Sequence, residues 1–236
     1  KGTNSLGGGE MSVLRGETFE KAGVNISTVF GPISDELRGK IPGSDNTKNF
    51  WASGISVVIH PYSPKIPAIH MNTRFIVTEK NWFGGGTDIT PNNLKSANSI
   101  KLANYFHDQL KEICEKYQKG SYLKYKNWCD EYFFLPHRNE PRGLGGIFYD
   151  YLDSKNWQSD FSFTKDVGQT FLNSYINITK KTMNLKWNES DKNLQLLRRS
   201  RYTEFNLLHD RGTKFGLQTK GNVDAIFMSL PPSTGW

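Results

Sequence analysis

GISVVIH (Gly54–His60) and AIHMNTRFIV (Ala68–Val77) are the two stretches on which the fold turns. Side chains alternate direction along an extended chain, so Ile55, Val57 and Ile59 share one side of the first stretch while Ser56, Val58 and His60 share the other. In the second, His70, Asn72, Arg74 and Ile76 lie opposite Ile69, Met71, Thr73, Phe75 and Val77. This alternation between turn formers predicts two strands. Each would turn an apolar row toward a core and a polar row the other way, and such a polar row is either wet surface or the wall of a pocket.

Working outward, the same signal predicts strands at Trp128–Phe134, Tyr202–Leu208, Thr213–Gln218 and Asp224–Leu230, each bounded by Gly, Pro, Asn or Asp. Two helices are expected. In Ser96–Tyr117 the residues Ile100, Ala103, Phe106, Leu110, Ile113 and Tyr117 recur at steps of three and four, and in Lys165–Lys181 Val167, Phe171, Tyr175 and Ile178 do the same. The short connections from Leu208 to Thr213 and from Gln218 to Asp224 suggest antiparallel hairpins, which makes the class α+β. Residues 1–12 are Gly-rich and read as mobile, and Pro32–Lys48 reads as a surface loop. No low-complexity linker divides the chain, so residues 1–236 are expected to form a single domain.

Thirty basic against 23 acidic residues leave a formal charge of +7, which favours an anionic partner. No basic run of the kind that forms a nucleic-acid arm is present, because Lys180-Lys181 and Arg198–Arg201 sit among apolar residues. Cys114 and Cys129 form no C-x-x-C pair, so free thiols in a reducing compartment are expected rather than a disulfide framework or thiolate zinc. No apolar run reaches the roughly 18 residues of a membrane span, so no integral membrane segment is expected.

The densest segment is KYKNWCDEYFFLPHRNEPRGLGGIFYDYLD (Lys124–Asp153), which crowds rings, alternating charge, a histidine and a Gly-rich turn together. With GVNISTVFG (Gly23–Gly31), HPYSPKIPAIHMNTRF (His60–Phe75), WFGGGTDITP (Trp82–Pro91) and EFNLLHDRGTKFGLQT (Glu204–Thr219), it resembles, collinearly, oxygen-dependent coproporphyrinogen III oxidase of the heme pathway. The resemblance implies one large antiparallel sheet flanked by helices on both faces, and a homodimer. It implies oxidative decarboxylation of two propionates of coproporphyrinogen III to vinyl groups, giving protoporphyrinogen IX, carbon dioxide and hydrogen peroxide. Dioxygen would be co-substrate and no cofactor would be required. It also implies further residues before Gly7 and a helix after Trp236, and a cytoplasmic location, or the mitochondrial intermembrane space if a targeting segment has been removed.

Read from the residues, Arg74 is a bidentate carboxylate clamp or a surface ion pair, and His70 is a general acid or base or merely hydrogen-bonded. The resemblance places Ser56, His70, Asn72, Thr73 and Arg74 against the substrate, with His70 as proton donor and Arg74 on a propionate. The glycines of Trp82–Pro91 read as a tight turn that lets a flat ligand approach, with Asp88 at its mouth. By resemblance Asp88 accepts hydrogen bonds from pyrrole N–H groups, Asp210 activates a pyrrole and Arg211 holds a carboxylate. Lys220, Gly221 and Asn222 match another substrate contact, although many members carry arginine where Asn222 stands. His60, His70, His107 and His137 coincide with positions proposed for a divalent metal in some members, but their spacing fits no compact motif and the reading is no metal. Two other readings stay open: a non-enzymatic binder of anionic tetrapyrroles or nucleic acid, with salt-sensitive affinity and no gas consumption, and a His-metal oxygenase, with bound metal and chelator-sensitive turnover.

Overall fold

The alternation in the two deciding stretches is realised as neighbouring strands of one sheet. The computed structural model describes residues 6–33, 38–39, 41–218 and 221–236. Its six-stranded sheet runs, in spatial order, β1 (Leu6–Leu14), β2 (Phe19–Pro32), β3 (Asn49–Pro61), β4 (Ala68–Val77), β5 (Asn81–Thr90) and β8 (Gly146–Leu152), each pair antiparallel. Between β5 and β8 the chain forms α1 (Ala97–Tyr117), α2 (Ser121–Tyr132) and a short ribbon of β6 (Phe134–Leu135) and β7 (Glu140–Pro141).

One face is the apolar core. Val57, Ile69, Met71, Ile89 and Ile147 pack with Phe106 and Leu110 of α1 and with Val167 and Phe171 of α3 (Trp157–Thr182). Burying each such side chain is worth about 1.5–3 kcal/mol relative to leaving it in water. Both helices start on side-chain caps, Ser96 accepting from the Ser99 N–H and Asn156 from the Ser159 N–H, at 3.1 Å each. The expected stripe of α3 is buried throughout, whereas Ile100 of α1 is exposed and Leu102 and Cys114 take its place in the core.

The opposite face is covered by α4 (Glu189–Leu208) and the segment carrying α5 (Arg211–Gln218) and α6 (Val223–Phe227). Tyr202 of α4 meets His60 edge-on with ring centres 5.1 Å apart, and Arg199 reaches the Pro61 carbonyl at 2.9 Å. The C-terminal segment is laced to β2 and β3: Lys21 donates to the Leu230 carbonyl, Asn25 to that of Ala225 and His60 to that of Ser229, at 2.7, 2.8 and 2.9 Å. A Cβ at Gly23 would lie 2.8 Å from the Met228 methyl, so a bare position lets this segment close on the sheet. Helices thus flank both faces of an α+β fold.

The other four expected strands are mainly helical, apart from Phe134, which opens β6, and Met228–Leu230, which follow α6. Trp128–Phe134 closes α2, Tyr202–Leu208 belongs to α4, Thr213–Gln218 lies in α5 and Asp224–Leu230 holds α6 and the turn after it, so the expected hairpins do not form. Their Tyr, Phe and Thr residues carry only a weak strand preference; side-chain caps outweigh it in α4, α5 and α6, whereas α2 has no side-chain cap and is set by packing of Cys129 and Phe133 with Phe148 and Phe205. Asn188 and Asp191 form a reciprocal capping box, and the Asp210 carboxylate accepts the Thr213 N–H at 2.6 Å. Among the six buried positions of α4, Gln195, Arg199, Tyr202 and Phe205 recur at three and four, with Ser200 and Asn206 beside them.

Conversely, of residues 1–12, read as mobile, those from Leu6 onward lie in edge strand β1 and residues 1–5 lie outside the described residues, while the glycine run read as a turn lies inside β5. None of Gly84, Gly85 and Gly86 has positive φ; all three are buried in extended chain. Pro32–Lys48 carries no helix or strand among its described residues after Pro32 itself.

Candidate active site

Register decides what the polar row of β4 faces. His70 lies between Val58 and Asp88, Asn72 between Ser56 and Gly86, and Arg74 between Gly54 and Gly84. Gly146 of β8 is the next neighbour of Asp88. Four positions around this row therefore carry no side chain, and neighbouring side chains use the room: Asp150 and Arg74 fill the space over Gly84, and Phe148 lies against Gly86.

At the inner end, Asp88 is 1% exposed. His70 donates through Nδ1 to its carboxylate at 2.9 Å, and one Arg142 nitrogen lies 2.8 and 2.7 Å from the two oxygens. Arg142 is itself 2% exposed, its guanidinium 3.9 Å from the ring centre of Phe133, 4.5 Å from that of Tyr202 and 4.7 Å from that of Phe205. Burial pushes the Asp88 carboxyl up, but Arg142 and the His70 hydrogen bond outweigh it and hold it below the usual range. Asp88 is thus an ionised carboxylate saturated by protein donors, inside a strand rather than at the mouth of a turn. Its effect on His70 is to fix the Nδ1 proton, leaving Nε2 without a partner among the described residues.

At the outer end stands an array of alternating charge. Arg74 donates to the Asn72 side-chain oxygen at 2.8 Å and places another nitrogen 2.8 Å from Oδ1 of Asp150. Arg211 approaches Oδ2 of the same carboxylate at 4.0 Å. Asp150 is 4% exposed, whereas the Arg211 side chain is 50% exposed. Beneath them Tyr132 and Phe148 stack with centres 4.5 Å apart, and the Arg211 guanidinium lies over both rings. The Tyr132 hydroxyl donates to Asp210 at 2.9 Å and accepts the Arg211 backbone N–H at 3.0 Å. Burial and the neighbouring Asp210 push that phenol up to about 12, so it stays protonated as a donor.

The structure therefore gathers His70, Asn72, Arg74 and Asp88 on one face with Ser56 beside them, and sets Asp210 and Arg211 at the rim. It does not bring all the expected residues there. Thr73 alternates to the core side of β4 and is buried next to Ile55 and Gly85. The Asn222 side chain caps α6, accepting the Asp224 N–H at 2.9 Å, and Gly221 donates to the Gly216 carbonyl. Lys220 lies outside the described residues. Asp210 follows a helix, not a strand, and caps the next one.

The four histidines considered for a metal have separate partners. His60 bonds Ser229, His70 bonds Asp88, His107 donates to the Leu144 carbonyl while accepting from Tyr122, and His137 sits against His209 and Glu204. Among the described residues no group of three or more His, Cys, Asp or Glu side chains is arranged to hold a metal ion.

Arg142, Asp150, Tyr132 and Phe148 escaped the sequence reading, though all lie in the dense segment Lys124–Asp153. For two of them a signal existed: in GIFYDYL, Phe148 and Asp150 are two apart and share one side once the stretch is taken as a strand.

Comparison with known proteins extends the geometry. Residues 2–236 match the family model described as coproporphyrinogen III oxidase. A protein of Rickettsia bellii (strain OSU 85-389) named oxygen-dependent coproporphyrinogen-III oxidase is 57% identical over 230 residues, covering 98% of this chain and 81% of its own. Proteins of the same name from Rickettsia rickettsii (strain Sheila Smith) and Rickettsia akari (strain Hartford) are 56% and 57% identical over 229 residues, covering 97% of this chain and 81% of theirs.

Proposed function

The chain belongs to the coproporphyrinogen III oxidase family, and we propose that it catalyses the oxygen-dependent conversion of coproporphyrinogen III to protoporphyrinogen IX in heme biosynthesis. The observation that carries this reading is the polar sheet face of His70 and Asn72, rimmed by Arg74, Arg211 and Asp210. It offers a proton-transfer group and guanidinium groups for the propionates of a macrocycle, and the net charge of +7 favours a tetra-anionic substrate.

Each decarboxylation removes carbon dioxide and the equivalent of a hydride from the propionate β-carbon. Dioxygen takes the two electrons, and one further proton completes hydrogen peroxide. The electron-rich pyrrole reacts with dioxygen itself, so the protein supplies orientation and proton transfer without a cofactor. Arg74 and Arg211 hold carboxylates, with Ser56 and Asn72 alongside. Asp210 takes the pyrrole proton, and its Tyr132 and Thr213 donors keep it aimed. His70 donates a proton through Nε2, and ionised Asp88, held by Arg142, steadies the imidazolium. Asp88 thereby acts through His70 rather than on the pyrrole nitrogens.

The homodimer is part of the same reading, supported by Met11, Val13 and Leu14 on edge strand β1 and Ile26 on its neighbour β2, all exposed. A reducing, cytoplasmic setting is supported by two free, buried cysteines. No helix of the described residues is long and apolar enough to cross a membrane.

Incubation with coproporphyrinogen III under air should yield protoporphyrinogen IX and two carbon dioxide per substrate, and under nitrogen neither. Product formed without oxygen, or none in air, overturns the assignment. Dialysis against a chelator should leave turnover intact; activity lost and then restored by one metal ion would replace the cofactor-free mechanism with the metal oxygenase.

A further inference from the structure

Among the described residues, Asp150 is the buried carboxylate whose hydrogen bonding is incomplete. Oδ1 has no well-aligned donor although an Arg74 nitrogen is 2.8 Å away, and Oδ2 is 4.0 Å from Arg211. A buried carboxylate oxygen without an aligned donor is costly, so its retention between two arginines needs a reason. Gly84 makes the arrangement possible. A Cβ there would fall 2.3 Å from Oδ1 of Asp150 and 3.0 Å from Nε of Arg74, so carboxylate and guanidinium share the space a side chain would fill. The same two arginines are assigned above to the substrate's propionates, and both lie over Phe148, their guanidinium carbons 6.0 and 5.3 Å from its centre.

We propose that Asp150 is a positioning residue that stands in for a propionate: it holds Arg74 and Arg211 on one side of the Tyr132–Phe148 pair and yields them in part when substrate carboxylates arrive. The inference rests on the reading that these arginines bind propionates. Guanidinium groups on long, flexible side chains lose rotamer freedom when they clamp a ligand, and a resident carboxylate meets part of that cost beforehand. It is also a competitor, because it carries the same charge and faces the same donors as the incoming group. Imperfect alignment at Oδ1 and the longer approach at Oδ2 make the resident contact weak enough to be given up.

A purely structural aspartate would affect affinity and turnover together. A stand-in makes them diverge. Asp150→Asn keeps the shape and removes the charge. Coproporphyrin III, the fluorescent oxidised form of the substrate, should then bind several-fold more tightly because its competitor is gone, while kcat falls at least about tenfold because the arginines are no longer aimed. Asp150→Glu retains the charge on a longer stem, and should keep affinity within about twofold while kcat falls at least about threefold; this variant tests the idea if the asparagine form does not fold.

Wild-type behaviour of either variant, or parallel loss of affinity and turnover in Asp150→Asn with an unchanged melting curve, overturns the proposal. Arg74→Ala and Arg211→Ala separate the two levels. If both bind coproporphyrin III as the wild type does, the propionate reading falls, and the stand-in with it. If both bind weakly while Asp150→Asn is unaltered, only the stand-in falls.

Discussion

On one side of the sheet, Val57, Ile69, Met71, Ile89 and Ile147 meet the apolar stripes of α1 and α3; on the other, an Asp88–Arg142 ion pair is buried among Phe133, Tyr202 and Phe205. The first side gains from every area it removes from water. The second removes two charges from water, and mutual attraction offsets that loss only while both partners are present. Its charges are held for what they do to His70, so the two sides should respond differently to the same size of insult.

The largest effect expected is from Arg142→Met, which strands the Asp88 charge and should cost about 3–5 kcal/mol of stability. Phe106→Ala on the apolar side should cost a similar 3–5 kcal/mol through its cavity. The two differ in rescue. Adding Asp88→Asn to Arg142→Met should recover much of the stability but not the turnover, whereas no polar change rescues Phe106→Ala. Urea denaturation of the single and double variants measures this, and additive losses for Arg142 and Asp88 would erase the distinction between the sides.

Next is Asp210→Asn, in which the amide can still cap α5 but cannot accept the pyrrole proton. Turnover should drop about 10²-fold or more, with substrate binding and melting nearly unchanged. Near-normal single-turnover rates would move the proton acceptor elsewhere on this face.

A third effect follows pH. Burial pushes His60 down to about 3, against about 6.5 in an unfolded chain. Between those values the unfolded chain binds a proton that the folded protein refuses, so stability is intact above pH 6.5 and declines as pH falls through the window. By pH 5 this amounts to about 2 kcal/mol. His60→Gln retains an N–H donor for the Ser229 carbonyl and should flatten the decline; an equal slope in wild type and variant would assign it to other groups.

Arg74→Lys is the smallest change. It keeps the charge but not the planar fork, and should weaken binding by about 1–3 kcal/mol with stability unaffected. Unchanged affinity would remove Arg74 from the site.

What could be read in the chain was whatever a short period encodes. Ser56, His70, Asn72 and Arg74 were placed on one side of two strands because extended chain alternates, and register then set them side by side. The stripe of α3 was legible because 3.6-residue spacing is equally local. In α4 the same spacing was present, but Tyr, Thr and Phe read as a strand until the capping box and the packing of Tyr202 on His60 decided otherwise.

The glycine run hid for a related reason. Gly84–Gly86 lacks side chains not because the chain turns there but because Asp150, Tyr149 and Phe148 occupy the space above and below it. By itself, then, the sequence determined the alternation of β3 and β4, their apolar side and the family. Tertiary structure alone decided that Asp88 belongs to Arg142, 54 residues away, and that Asp150 lies between Arg74 and Arg211. Pairing of buried charges depends on which elements meet in space, and no local period carries that information.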